Sequence, residues 1–379
     1  MTIYLIYAAI FGLTAVLSYG AAPRLIGLSF KLNWLDQPGE LKRHAHPMPF
    51  LGGVSIFFAF WSVVLIGLVG APVAYDHIAL FTHLPPLFNN ITPWLPKIGG
   101  VFLGSVIVLI LGIADDLYDL SPWPKLMVQS LVAVILLALG LRVNIFEVWG
   151  VAGYAVTFFW IILLMNAFNF IDSIDGHCLG VAFTSSLFFF GLTILISQSA
   201  IALFVIAFSG ALFGLLPFNF KPARMFLGDN GSLQIGYMMS VLTLLCTYRT
   251  SDAAYFTPFI PVLMFGVPIY DTLSVIFVRL IRGQAPWKGD RNHFAHRLVR
   301  LGMGERSAVL FSYFVVITLG LVAILSTQVR TLLGNILIVV LFCAIIGIIA
   351  FLEYYAAVQI RRMEELAKHQ RRRSTDSKE

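Results

Sequence analysis

The chain has 379 residues, of which 59% are hydrophobic and 12% charged, and a formal net charge of +6. A mean hydropathy of +0.88 excludes a soluble globular domain and a disordered chain, and requires an integral membrane protein. Cys178, Cys246 and Cys343 are isolated in apolar runs, which excludes a disulfide framework or a metal-thiolate site. The excess of basic residues reads as a membrane-orientation signal, not as nucleic-acid binding.

Eleven apolar runs approach the ~20 residues a helix needs to cross a bilayer. They cover residues 2–22, 50–70, 98–114, 126–142, 151–170, 178–195, 201–217, 232–250, 258–281, 309–327 and 333–356. None alternates as a barrel strand would, and backbone in lipid must satisfy its own hydrogen bonds, so the expected fold is all-α and polytopic. The proline-rich run from Pro258 to Ile281 is expected to be broken or tilted. No composition break divides residues 1–356, which read as one multi-span catalytic domain followed by a polar basic tail at 357–379. No basic residue precedes the first run, so a cleaved signal peptide is not expected.

With the N-terminus outside, 21 of the 25 basic residues fall on the cytoplasmic side, the tail included. The acidic motifs fall on the same side, although the charge count does not demand it. An odd number of spans and a cytoplasmic C-terminus follow.

In chain order, the first polar segment carries Asp36, Pro38, Lys42, His44, Pro47, Pro49, Gly52 and Gly53. Its Lys42 and His44 add positive charge, but the segment alone is weak. Asp115 and Asp116 then terminate an apolar run, with Asp119 and Lys125 following at a spacing that can meet a phosphate. Adjacent carboxylates repel, so one of them is a candidate proton acceptor; the plainer reading is a pair of helix-end anchors. Asn166, Asn169, Asp172 and Asp175 recur every three residues, near one helix face. They read as oxygen ligands for a polar substrate or a metal, or as polar glue between helices. Phe226, Gly228, Asp229, Gly231 and Ser232 precede another run, where Asp229 at a helix start can reach a cation or simply cap a turn. Finally, Arg291, His293, His296 and Arg297 concentrate donors suited to a diphosphate, while Arg279, Arg282 and Arg300 read as orientation charges. Clustered carboxylates at a membrane face suit Mg2+, which takes oxygen ligands and bridges phosphates.

These five segments, in this order, resemble the polyprenyl-phosphate N-acetylhexosamine-1-phosphate transferases (glycosyltransferase family 4). That family includes the initiating enzymes of O-antigen and teichoic acid synthesis and, as a relative, the MurNAc-pentapeptide translocase. The resemblance spans Asp36 to Leu298. It departs where members carry Arg and this chain has Leu41 and Phe50, at Ala295, where a histidine is usual, and at His177, where a hydrophobic residue is common.

The resemblance implies a cytoplasmic-face active site in a bacterial inner membrane. There, N-acetylhexosamine-1-phosphate, GlcNAc-1-phosphate by default, passes from a UDP-sugar to undecaprenyl phosphate, with UMP released. It implies Mg2+, with Mn2+ as a substitute, held by Asp229 and Asn169. Asp115, Asp116 and Asp229 would be catalytic; Asp115, Asp116, Asp119 and Lys125 would meet the lipid phosphate. Lys42, Asn169, Asp172, Asp175, Phe226, Arg291, His293 and His296 would bind the nucleotide sugar, with Phe226 stacked on uracil. Membrane lipid is the surrounding partner, and a homodimer is compatible. Three rival readings are a pentapeptide translocase, a prenyltransferase built on two Asp-rich segments, and a cation-coupled transporter with acidic groups near span centres.

Overall fold

The computed structural model describes residues 2–38, 46–75, 92–143, 150–246, 259–285, 287 and 293–329, with scattered positions between 331 and 358. Among them are twelve α-helices and one two-residue antiparallel ladder. The helices are α1 (Thr2–Leu32), α2 (Gly52–Tyr75), α3 (Leu95–Tyr118), α4 (Pro122–Ala138), α5 (Val151–Ile171) and α6 (His177–Leu195). They continue with α7 (Ser199–Asn219), α8 (Asp229–Leu245), α9 (Ile260–Met264), α10 (Gly266–Ile281), α11 (Phe294–Arg300) and α12 (Glu305–Gln328). In the ladder, β1 (Leu35–Asp36) pairs Leu35 with Pro49 and Asp36 with Met48 of β2 (Met48–Pro49).

The fold is that of an all-α, multi-pass membrane protein. Seven of the described helices, α1, α2, α3, α5, α6, α7 and α12, are long and apolar enough to cross a bilayer. Helices α4, α8 and α10 coincide with three more of the expected runs but have only 17, 17 and 16 residues. The run at 258–281 is interrupted at Phe265, which separates α9 from α10. The described residues of the run at 333–356 are helical, and the tail at 357–379, apart from Val358, lies outside the described residues.

Burial sorts the helices. In α1, only 28% of the apolar window is buried, and Tyr4, Leu13, Val16 and Tyr19 turn outward, as suits a helix against lipid; in α7 the share is 78%. Helix α8 goes further: every residue from Asn230 to Leu244 is buried. It nonetheless carries Ser232, Gln234, Ser240 and Thr243, a composition tolerated because buried polar groups find partners. Asn169 donates to Ser232 at 2.9 Å and Trp160 to Thr243 at 2.9 Å. Gln234 donates to Ser105, which also accepts from Trp61 Nε1 at 2.8 Å. One continuous apolar cluster joins α8 to α2, α3, α5 and α7, so α8 is the axis around which the bundle is built.

Candidate active site

The site forms where α8 begins. The first N–H groups of a helix have no partner within it, and its positive end favours anions. Here the capping carboxylate comes from another helix. Asp116, in the last turn of α3, accepts from the backbone N–H of Asp229 at 2.8 Å and of Asn230 at 3.1 Å. It also accepts from Asn230 Nδ2 at 2.7 Å. The same amide group donates to the Phe50 carbonyl at 2.6 Å. Such close approach requires bare backbone. A Cβ on Gly112 would lie 2.2 Å from Asn230 Cα, and one on Gly53 would lie 2.3 Å from the Asn230 carbonyl oxygen.

Asp115, one position earlier and so about 100° round the helix, faces elsewhere. It is 4% exposed. One of its oxygens accepts from the Leu120 N–H at 3.0 Å, and the other is ion-paired with Lys125 at the start of α4. The Lys125 ammonium also lies 3.9 Å from Asp229 Oδ2, so one lysine stands between the two carboxylates. From α5, Asn169 donates both amide hydrogens, to Asp229 Oδ1 at 2.6 Å and to Ser232 Oγ at 2.9 Å. Asp115, Asp116, Asn169, Asp229 and Lys125, distant in sequence, thus meet at one helix start.

The spacing-three ladder divides. Asn166 turns away from the site and exchanges amide bonds with Gln129 of α4 at 2.7 and 3.5 Å, the polar-glue alternative. Asp172 ends α5. Burial pushes its carboxyl up to about 8, and the charges of Asp116 and then Asp175 add to the effect. Asp175 accepts from the Ala223 N–H at 3.2 Å, which ties its turn to the segment leading into α8. Asp119 is exposed at the left-handed end of α3, with φ of 49°, and its side chain joins none of these bonds. Phe226 is half-buried beside the site. Its N–H donates to Pro49 at 2.8 Å, and its carbonyl and that of Leu227 accept from Gly52 and Gly53, both at 3.3 Å. The first polar segment is thereby bonded directly to the Asp229 motif. Lys42, His44 and Arg291 lie outside the described residues.

Several residues not anticipated from sequence support this centre. Asn219 accepts from the Gly176 N–H at 3.2 Å and donates to the Met225 carbonyl at 3.1 Å, and Tyr313 donates to the Gly176 carbonyl at 2.5 Å. Asp271, wholly buried in α10, lies 2.8 Å from His293 Nδ1, accepts from the Phe294 N–H and stands 3.7 Å from Arg297. Arg279, expected to be only an orientation charge, is 2% exposed and sits 5.4 Å over the Phe170 ring, next to Asn169. Its neighbours Arg282 and Arg300 are exposed, as an orientation charge should be. His293 packs edge-on against Phe170 at 5.8 Å, and His296, 6% exposed, is 6.5 Å from it. Ala295 instead faces Ile174 and Val309, so position 295 packs against an apolar cluster. His177 is fully buried at the start of α6 with Nδ1 3.0 Å from the Ile171 carbonyl. A signal for Asp271 existed: it is a carboxylate inside an apolar run, which is costly unless it has a job.

Among the described residues, no cluster of three or more His, Cys, Asp and Glu side chains forms a ready metal cage. A Mg2+ ion is held by one or two protein oxygens together with substrate phosphates and water. The Asn169 amide oxygen and Asp229 Oδ2 remain for such an ion once their neighbours are satisfied.

A multi-span helical bundle with a carboxylate, amide and lysine centre at one end defines a membrane enzyme of phosphoryl-group chemistry. Residues 98–247 match the model for glycosyl transferase family 4. The chain is 31% identical to a probable undecaprenyl-phosphate N-acetylglucosaminyl 1-phosphate transferase of Bacillus subtilis, over 84% of this chain and 85% of the relative. It is 30% identical to an undecaprenyl-phosphate alpha-N-acetylglucosaminyl 1-phosphate transferase of Thermotoga maritima, over 79% and 84%. It is 27% identical to a decaprenyl-phosphate N-acetylglucosaminephosphotransferase of Mycolicibacterium smegmatis, over 80% and 78%. The chain belongs to glycosyl transferase family 4.

Proposed function

We propose that this transferase moves GlcNAc-1-phosphate from UDP-GlcNAc to undecaprenyl phosphate, releasing UMP and starting a lipid-linked envelope glycan. The observation that carries the reading is the convergence of Asp229, Asn169 and the Asp115–Lys125 pair at the start of α8. It joins an anion-attracting helix end to oxygen ligands for a cation, at the end of a bundle where a lipid headgroup would lie. The names of the relatives supply the acceptor and the sugar. A coupled transporter needs acidic groups at the middle of its spans; this cluster lies at helix ends, and Asp271, the buried carboxylate within an apolar run, is tied to His293 and the Phe294 N–H.

In the reaction, an oxygen of the lipid phosphate attacks the sugar-linked phosphorus. A new P–O bond forms, the bond from that phosphorus to the bridging oxygen breaks, and UMP leaves with the electron pair. Both reactants are anions, so positioning and charge neutralisation carry most of the barrier reduction. Mg2+, with Mn2+ as a substitute, would be held by Asp229 and Asn169 and would neutralise phosphate charge. Lys125, held by Asp115, faces the lipid phosphate, and Asp115 orients that lysine. Because a lipid phosphate is largely ionised near neutral pH, Asp115 need not remove a proton. Asp116 keeps Asp229 in place through the α8 N-terminus. Phe226, Asp172 and Asp175 border the nucleotide side, with Lys42, Arg291, His293 and His296 toward the diphosphate. The carboxylate end faces the cytoplasm, where UDP-sugars are found, the N-terminus lies outside and the membrane is the bacterial inner membrane.

The test is UMP release in detergent micelles from undecaprenyl phosphate, a divalent cation and a panel of UDP-sugars. Release with UDP-GlcNAc, abolished by EDTA and by Asp229→Ala, is expected. Release with UDP-MurNAc-pentapeptide instead would make the chain a translocase, and none with any donor in folded protein would overturn the reading.

A further inference from the structure

We propose that Asp271 is the positioning carboxylate of His293: it fixes the imidazole with Nδ1 protonated and supplies the counter-charge for its cationic form. This rests on the reading above, in which His293 faces the diphosphate of the nucleotide donor.

The geometry leaves little freedom. Asp271 is 0% exposed, and its two oxygens have separate duties. Oδ1 accepts the Phe294 N–H at the start of α11 and stands 3.7 Å from Arg297, while Oδ2 lies 2.8 Å from His293 Nδ1. An ionised carboxylate only accepts, so Nδ1 must carry the hydrogen, and neutral His293 then keeps its lone pair on Nε2. Nε2 has no hydrogen-bond partner among the described residues. To meet an anionic phosphate oxygen, Nε2 must take a proton from solvent and become a donor. The resulting imidazolium is paired with Asp271 on one side and the diphosphate on the other.

Among the described residues, the charged and titratable groups around the pair come from three helices. Helix α10 contributes Asp271 itself and Arg279, the latter over Phe170. Helix α11 contributes His296, with its ring 6.5 Å from His293, and Arg297, which donates to Ser274 at 2.6 Å. The start of α6 contributes His177, which feels the charges of both Asp271 and His293. Helix α5 presents the Phe170 ring.

A sharp consequence concerns Asp271→Asn. The amide has one oxygen, and the backbone N–H of Phe294 requires it, with the Arg297 guanidinium 3.7 Å away on the same side. The amide NH2 must then face His293 Nδ1, which can satisfy it only as an acceptor. The hydrogen moves to Nε2, and the cation, which needs both nitrogens protonated, loses its partner.

The experiment uses the full chain in detergent, labelled with 15N in the histidine imidazoles, with His293 assigned by loss of its signals in His293→Gln. Wild type is expected to show the Nδ1–H form at high pH and Asp271→Asn the Nε2–H form. In UMP release, kcat/KM of wild type should fall as His293 loses its second proton, and Asp271→Asn should lack that limb. Loss of a charged hydrogen bond should raise KM for the donor by roughly tenfold or more while kcat changes less. Asp271→Asn combined with His293→Gln should be no worse than either alone, and Asp271→Glu should partly restore the pH limb. Wild-type His293 in the Nε2–H form, an unchanged tautomer in Asp271→Asn, or additive losses in the double variant would overturn the proposal. The wild-type spectrum decides it even if Asp271→Asn fails to fold. The spectra also remain decisive if no donor supports transfer, a result that would sink the transferase reading alone.

Discussion

Asp115 and Asp116 are neighbours in sequence, yet the structure gives them separate tasks. Asp116 spends both oxygens on three donors at the start of α8, whereas Asp115 holds Lys125 beside Asp229. Their substitutions should therefore separate. Asp116→Asn leaves one acceptor for three donors and should cost about 2–3 kcal/mol of stability, the scale of hydrogen bonds to a charged group, besides abolishing transfer. Asp229→Asn should abolish transfer with little loss of stability, because its amide still accepts from Asn169. Thermal unfolding in detergent beside the UMP assay checks the pair; equal melting temperatures for the two variants would refute the division. Sequence reasoning located both aspartates but could not apportion their roles, since the 100° step between them means nothing until α8 is in place. Asn166 shows the opposite failure: its spacing fits the ladder, but its partner Gln129 sits on α4, and no local pattern reveals that pairing.

At the scale of elements, α2, α3 and α8 meet where side chains are absent. Gly112→Ala should force α3 off Asn230 and, as overpacking does, lose at least ~1–3 kcal/mol, together with the Asp116 cap. Gly67→Ala on α2, where nothing lies within 4 Å of the added carbon, is the control and should retain stability and turnover. Comparable behaviour of the two variants would show that the close approach does not hold the site. The helices themselves were legible, because apolar runs of span length leave the backbone no alternative in lipid. The short helices were less so. The 17 residues of α8 carry enough buried polar groups to blur its run, and they become intelligible only with Ser105, Asn169 and Trp160 as partners.

Across the whole molecule, every element of the centre lies at the same end of the bundle, the end that also carries Lys31, Lys125 and Arg279. If that end faces the cytoplasm, a single cysteine at Trp123, 65% exposed, in a Cys343→Ala background should react with a membrane-impermeant maleimide only in inverted vesicles. A cysteine at Trp94, 37% exposed at the other end of α3, should react only in right-side-out cells. The reverse pattern would turn the protein over and leave the site without cytoplasmic nucleotide. Charge bias is what argues for this orientation from the sequence, and the labelling pattern is its test. Asp271 escaped notice for the same reason that it matters: it sits within an apolar run, not at its edge, and its partners lie more than 20 residues later.

The backbone closure around Asn230 has a consequence for drug resistance. An inhibitor that draws its affinity from Asp229 and the groups beside it leans on atoms the protein cannot easily exchange, because Gly53, Gly112, Asp116 and Asn230 interlock there. Escape by substitution at those positions would cost the cell a folded protein. An inhibitor gripping the exposed outer face of α4 leaves open escape routes that harm the enzyme little. Compounds of the first kind should yield resistant strains at a far lower frequency than compounds of the second.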